Sequence, residues 1–365
     1  MNVIIVGAGI IGYNHASALL RWPHVTITDV VDSDPGALDK FAGWLDEQGA
    51  PRPALHASLE PALGVNHGAL VVICTPSGTH TALAAAALAA GHHVVVEKPL
   101  DASLPAGREL ARLADAAAAR GQVFSVISQH RFDPASAAVA AAVAAGDFGT
   151  LTSAVASVAW WRSQDYYDSA GWRGTWSLDG GGATMNQGVH TVDLLLWFLG
   201  RPVEVFAYTR TLAHERIQVE DTAVATIRFV NGAVAVLHTT TAAFPGLAVR
   251  LQVHGTTGSA IIHDDQLEYF QTPAHPTAES VVPASELRGA TKDPDGFIVG
   301  HFRQYGDILA AIESGRPPAV TGADALLALA VVKAFYLSSH LSQPIDVDGV
   351  LAGTYDQVLT TVEQS

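Results

Sequence analysis

Through the first third of the chain, short β-branched and aliphatic runs alternate with longer amphipathic or alanine-rich stretches. "NVIIV", "ALVVICTP", "HHVVVEKP" and "QVFSVIS" are nearly continuous apolar runs, the mark of strands covered on both faces of a parallel sheet. "VTITDVVD" adds a further strand that ends in Asp32. Helices are expected after the glycine turn at Gly7–Gly12, over "THTALAAAALAAG", and from about Ser103 to Arg120, the last two closed by Gly91 and Gly121. Asp34 before Pro35 predicts an N-cap with proline at the first helical position. Such alternation predicts a doubly wound α/β domain with ligands at the carboxyl ends of its strands.

From about Phe132 the pattern changes. After one Ala-rich helix ending near Gly146, the runs "LTSAVASVAWW", "VEVFAYTRT", "TAVATIRFV", "AVAVLHTTT", "VRLQVHG" and "SAIIHDD" show period-two alternation or β-rich composition. Asn231-Gly232 in "VNGAV" marks a hairpin, and "GTTGSA" a second tight turn, so an antiparallel sheet is expected. A helix from about Ala183 to Leu199 should pack on one sheet face, leaving the other for association with another copy. "FRQYGDILAAIESG" and "ADALLALAVVKAFYLSS" read as helices, and "TPAHPTAESVVPASELRGATKDPDG" as a long surface loop. The domains expected are 1–127 and 128–365, with the last helices free to return to the first domain.

Composition narrows the function. The chain has 365 residues, 49% hydrophobic, with a net charge of -15, which argues against nucleic acid or an anionic membrane as the main partner. A local pocket for a small anion remains compatible with that charge. The opening strand lacks a basic leader, and no stretch holds roughly 18 uninterrupted apolar residues. Cys74, the single cysteine, sits in a buried strand and suits packing rather than nucleophilic attack. A soluble, cytoplasmic protein is expected.

Candidate chemistry clusters at the strand ends. Gly7, Gly9 and Gly12 have the GxGxxG spacing: a tight turn, close approach of backbone to a pyrophosphate, and close packing of helix on strand. Asp32 lies where a ribose hydroxyl acceptor is expected, about twenty residues past the last glycine. A carboxylate repels a 2′-phosphate and no arginine follows it, so NAD is favoured over NADP. Cofactor contacts are expected from Gly7, Gly9, Ile10, Ile11, Gly12, Asp32, Thr75, Pro76, Ser77, His80, Glu97 and Lys98. Only Lys40, Lys98, Lys292 and Lys333 are lysines, and Lys98 emerges where a buried strand meets the ligand edge. There an ammonium can stabilise alkoxide character on a substrate oxygen.

"GGGATMNQGVHTVDLLLWFLG" places Asn186 and His190 four apart on an otherwise apolar helix, a spacing that puts them on one face. Asp193 could fix the imidazole tautomer or pair with an arginine. "WWRSQDYYDSAGWRGTW" holds Trp160, Trp161, Trp172 and Trp176 with Tyr166, Tyr167, Arg162 and Arg173. Aromatic faces and guanidinium groups make walls for a polyhydroxylated ring and handles for a carboxylate or phosphate. Loop packing and subunit contact are the alternative use of these residues. His301 and Gln304 lie on a later helix and could line the site. No metal site is expected.

These motifs, in this order, resemble the glucose–fructose oxidoreductase / inositol dehydrogenase / MocA family. "IIVGAGIIGYNHASAL" resembles its nucleotide-binding opening, "ICTPSGTHTALAAAALAAGHHVVVEKPL" its nicotinamide-side loop and EKP stretch, and "LDGGGATMNQGVHTVDLLLWFLG" its catalytic helix. "VNGAVAVLHTTTAAFPGLAVRLQVHGTTGSAII" resembles its substrate-domain sheet and "PPAVTGADAL" its closing segment. The resemblance implies a Rossmann domain followed by a domain with a large open, mostly antiparallel sheet. It implies Lys98 as the catalytic-site lysine and His190 as the acid/base, with Asn186 where many members carry aspartate. Substrate contacts would then come from Lys98, Arg162, Tyr166, Trp172, Arg173, Asn186 and His190. The activity implied is NAD-dependent hydroxyl–ketone interconversion on a sugar, sugar acid or cyclitol, by a homodimer or homotetramer. Other members use transient oxidation to cleave glycosidic bonds, or sense ligands without turnover.

Overall fold

The computed structural model describes residues 1–65, 67–292 and 294–358. Two compact units emerge: Met1–Gln129 with Pro294–Leu326, and His130–Asp293 with Leu327–Ser365. The sequence boundary at 127/128 lies close to the first division, but the late segment 294–326 belongs with the first unit.

In the first unit, β1 (Asn2–Val6), β2 (Thr26–Val31), β3 (Ala54–His56), β4 (Leu70–Ile73), β5 (His93–Val96) and β6 (Phe124–Val126) form one sheet in the order β3-β2-β1-β4-β5-β6. Every pairing in it is parallel. Helices α1 (Ile10–Leu19), α2 (Pro35–Glu47), α3 (Glu60–Leu63), α4 (His80–Ala89) and α5 (Leu104–Ala118) connect the strands. The apolar runs are buried because helices cover both faces: Val3, Ile5, Val72 and Val95 share a core with Leu19, Phe41 and Leu45. The later helix α9 (Gly296–Ser314) adds Tyr305, Ile308 and Leu309 to that core. Its Phe302 stacks on Trp22 with ring centroids 4.8 Å apart.

The second unit begins with α6 (Pro134–Ala144) and β7 (Leu151–Ala159), then α7 (Gln164–Asp168), α8 (Val189–Leu199) and β8 (Pro202–Arg210). The strands β9 (Thr222–Phe229), β10 (Val234–Thr240), β11 (Arg250–Gly255), β12 (Ser259–His263) and β13 (Gln266–Gln271) follow, and α10 (Gly322–Leu341), β14 (Ile345–Asp346) and α11 (Val347–Ala352) are the last elements among the described residues. Eight strands form one sheet, β13-β12-β11-β7-β10-β9-β8-β14, antiparallel except where β7 lies parallel to β10. On β9, Ala223, Ala225, Ile227 and Phe229 turn inward while Val224, Thr226 and Arg228 face out. Helices α6 and α8 pack together on the inner side. Across the outer face, Val236 pairs with Val155 and Thr226, and Val224 with Tyr208. Asn231-Gly232 makes the β9–β10 hairpin, with Gly232 at φ +89°. By length and composition α10 could cross a membrane, but 67% of its apolar window is buried in the fold, as in a core helix.

Candidate active site

Four strand ends in the first unit carry the expected cofactor residues. Gly7, after β1, has φ +106°, and a Cβ there would lie 2.9 Å from the Cys74 carbonyl. A Cβ on Gly12 would lie 2.2 Å from the Gly7 oxygen, so helix and turn touch only because both residues are glycine. Gly9 differs: it caps α1 without a side-chain hydrogen bond, and nothing lies within 4 Å of its missing Cβ. Backbone can therefore be approached closely at this helix start, as an anion at a helix N-terminus requires. Ile10, next to it, is 78% exposed. Asp32, just beyond β2, accepts the N–H of Ala8 (2.8 Å) and of Asp34 (2.9 Å), which ties it to the glycine loop. Asp34 itself caps α2 through Gly36 N–H at 2.8 Å. A glycine loop open at Gly9 and a carboxylate at its edge fit NAD: the loop for the pyrophosphate, Asp32 for the ribose.

Beyond β4, the Thr79 hydroxyl donates to the Pro76 carbonyl (2.7 Å) and receives the Thr75 hydroxyl (2.7 Å). Ser77 is buried at the start of that turn. The His80 ring is also buried, with Nε2 2.9 Å from Thr75 O and Nδ1 3.0 Å from Pro99 O. Expected among the cofactor contacts, this ring instead joins the two backbone segments that flank the ligand edge. Glu97 is equally internal. Its Oε2 accepts the Lys98 backbone N–H at 3.0 Å, while Oε1 lies 2.9 Å from His15 Nε2 and 3.4 Å from His301 Nε2. Burial alone would raise the Glu97 carboxyl, but the two imidazoles hold it well below its usual range. His15 Nδ1 in turn meets the Tyr305 hydroxyl at 2.6 Å. The network grips the backbone of Lys98, whose side chain is half-buried at the end of β5.

His301 and Gln304, expected as possible lining residues, are fully buried. Gln304 accepts Ser128 N–H (2.9 Å) and donates to Val126 O (2.8 Å), so it secures the end of β6. They are structural because α9 packs inside the first unit.

In the second unit, Asn186 and His190 are the two residues between Asp179 and Leu196 that escape burial. The helix is not α throughout. Thr184–Gly188 is a π turn and α8 follows it, so the four-residue spacing does not stack Asn186 directly above His190. Tertiary packing explains the irregular turn. A Cβ on Gly182 would fall 1.7 Å from Glu220 O, one on Gly181 2.2 Å from the Tyr336 hydroxyl, and one on Gly188 2.5 Å from Thr239 Cγ2. Glu220 accepts Gly182 N–H (2.9 Å), Thr184 N–H (2.8 Å) and the Tyr336 hydroxyl (3.1 Å). Burial outweighs these donors and pushes its pKa up to about 7. The Asn186 amide donates to Gly181 O at 3.0 Å. Asp193 makes a buried bidentate pair with Arg131, at 2.7 and 2.6 Å, so of its two possible roles the arginine takes it.

One neighbour of His190 escaped the sequence reading. His130 lies edge-on to it, and its Nδ1 is 2.9 Å from Asp133 Oδ2 and 3.1 Å from Asp265 Oδ1. Asp265 reaches it from the β12–β13 turn, where Asp264 and Asp265 both take positive φ, +52° and +68°. The "HRFD" spacing joins His130 only to Asp133; the second carboxylate is distant in sequence.

The aromatic segment is ordered by cation–π contacts. Arg162 lies over Trp160 (5.2 Å) and Tyr166 (5.1 Å), and Arg173 over Tyr166 (4.2 Å) and Trp172 (4.6 Å). Trp161 is 39% exposed against Phe244, and Trp176 packs on Tyr336.

Residues 1–127 match the model of an oxidoreductase family with an NAD-binding Rossmann fold, and residues 136–261 that of the GFO/IDH/MocA C-terminal domain. The WlbA dehydrogenase from Chromobacterium violaceum, solved with NADH and UDP-GlcNAcA, matches with a TM-score of 0.82 at 31% identity, covering 95% of each chain. The chain belongs to the glucose–fructose oxidoreductase / inositol dehydrogenase / MocA family. This oxidoreductase is 28% identical over 345 residues to inositol 2-dehydrogenase of Rhizobium meliloti, covering 90% of the chain and 94% of the relative. Levoglucosan dehydrogenase of Pseudarthrobacter phenanthrenivorans is 24% identical over 336 residues, covering 79% and 84%. The family makes it an NAD-dependent oxidoreductase, with the Rossmann and antiparallel-sheet architecture expected from its motifs.

Proposed function

We propose that this oxidoreductase interconverts a secondary hydroxyl and a ketone on a sugar, sugar acid or cyclitol, NAD taking or giving the hydride. The observation that carries the reading is selective exposure: between Asp179 and Leu196, Asn186 and His190 alone escape burial. An imidazole titrates near working pH, so His190 takes the hydroxyl proton during oxidation and returns it during reduction. Lys98, half-buried at its strand end, offers an ammonium suited to steadying negative charge on a substrate oxygen. Asn186 cannot accept a proton and orients a neighbouring hydroxyl. The substrate class follows relatives that act on inositol and levoglucosan.

A second copy of the chain is the partner proposed for the outer sheet face, where Val155, Tyr208, Val224, Val234 and Val236 are exposed. Light scattering in solution tests this, and a monomer at micromolar concentration would refute it. With a lone cysteine and no disulfide, a cytoplasmic location is proposed.

Screening inositols, aldoses, uronic acids and nucleotide sugars for NADH formation tests the activity. The Lys98→Ala variant should lose turnover by roughly a hundredfold or more while NAD affinity holds. Equal loss of both would remove its chemical role.

A further inference from the structure

Arg162 and Arg173 share one aromatic ring and have no ion-pair or hydrogen-bond partner for their guanidinium groups among the described residues. Their ζ-carbons lie 5.1 and 4.2 Å from the Tyr166 centroid, and both Nε atoms are buried without a partner. This is unusual in a chain of net charge -15. Three nearby acids are engaged elsewhere: Asp168 with Arg216 (2.7 Å), Glu215 with Arg216 (3.3 Å), and Asp221 with His214 (3.0 Å), while the exposed Asp165 makes no ion pair with either arginine. Asp179 accepts the Gly174 N–H at 2.7 Å. Two guanidinium groups held against one ring repel each other, and among the described residues no carboxylate pairs with either.

The platform is built rather than incidental. Tyr166 and Trp176 pack on a small core of Tyr167, Ile217 and Val219. A Cβ on Gly174, beside Arg173, would lie 2.7 Å from Ile217, so the backbone there is pressed onto that core. Arg162 is fixed at its own backbone: its N–H donates to Thr241 O (2.8 Å), and its carbonyl lies 2.9 Å from His214 Nε2. His214 Nδ1 meets Asp221 at 3.0 Å, so both ring nitrogens face acceptors and the ring clamps the Arg162 backbone to Asp221. Thr241 follows β10 by one residue, and Thr239 on β10 bonds Thr184 of the π turn at 2.7 Å. Two residues of strand span about 7 Å. The arginine platform is therefore anchored about one monosaccharide's length from the anchor of the Asn186 turn.

We propose that Arg162 and Arg173 form a substrate subsite for an anionic group, a carboxylate or phosphate carried by the sugar. The inference rests on the sugar-dehydrogenase reading above and deepens it: the preferred substrate is acidic, a uronic acid or a nucleotide sugar, rather than a neutral polyol. Guanidinium forks pair with these anions bidentately, and neutral hydroxyls would leave both charges unmatched.

Calorimetry on the NAD-loaded protein tests it with four probes: D-glucose (neither group), D-glucuronate (carboxylate alone), UDP-glucose (diphosphate alone) and UDP-glucuronate (both). At least one acidic probe should bind at least tenfold tighter than glucose, and comparison of the middle two names the anion's source. Arg162→Gln and Arg173→Gln should each erase most of that advantage, with NAD affinity unchanged as the control for folding; the Lys variants should keep part of it. Glucose binding as tightly as every acidic probe, or acidic affinity unchanged in both Gln variants, would overturn the subsite. Arginine-dependent acid binding without NADH formation from any sugar would instead sink the dehydrogenase reading and leave the subsite standing.

Discussion

His130 sits edge-on to His190, ring centroids 5.0 Å apart and planes at 79°. Burial works against charge on His130, but Asp133 and Asp265 raise its pKa to about 10. It is thus an imidazolium throughout the neutral range, beside the residue proposed to accept the substrate proton. A neighbouring positive charge disfavours a second one on the same pair of rings. Replacing His130 with Gln should make His190 easier to protonate. The limb of the pH–rate profile that climbs as His190 deprotonates should move to higher pH. NMR titration of His190 in both proteins measures the shift directly; an unmoved titration would mean that the carboxylates already cancel the charge of His130.

Gly182 has no room for a methyl group, because its Cβ would lie 1.7 Å from Glu220 O. The Gly182→Ala change should cost about 3 kcal/mol and displace the π turn. Urea midpoints and turnover should fall together. A variant of wild-type stability would show that the loop can move away from Glu220.

Glu220 links stability to pH. Its folded pKa is about 7, against an unfolded value near 4.3. Between those values the folded protein holds more protons than the unfolded, so stability falls as pH rises through that window. The loss should reach at most about 4 kcal/mol. Unfolding of wild type and Glu220→Gln at about pH 5 and pH 8 compares the slopes, and the variant should lack this component. Equal slopes would mean that Glu220 stays ionised in the fold.

Asp32 should set coenzyme preference. The Asp32→Ala change should weaken NAD about tenfold and NADP much less, since the carboxylate repels a 2′-phosphate. Titration with both coenzymes gives the ratio, and an unchanged ratio would reassign Asp32 to supporting the loop through Ala8.

The expected helices and strands were legible where one physical signal dominated. Continuous apolar runs mark strands buried on both faces, and they are the β1, β4 and β5 of the first sheet. The glycine loop was legible because Gly7 and Gly12 answer local steric demands and Gly9 leaves the helix start open. The π turn was not: its cause is Glu220, Tyr336 and Thr239, brought against Gly181, Gly182 and Gly188 from far along the chain. His80 and His301 read as ligand contacts because a histidine near a motif looks functional; packing turned both inward.

By itself the sequence determined the two sheet types, the strand ends that bear chemistry, and the family, because periodicity and glycine spacing are local properties. Tertiary structure alone decided what each polar side chain meets. It paired Asp193 with Arg131, set His130 between Asp133 and Asp265 beside His190, and left Arg162 and Arg173 without carboxylate partners among the described residues. The reason is physical: a side chain's charge and hydrogen bonds depend on neighbours that only chain folding brings within a few ångströms.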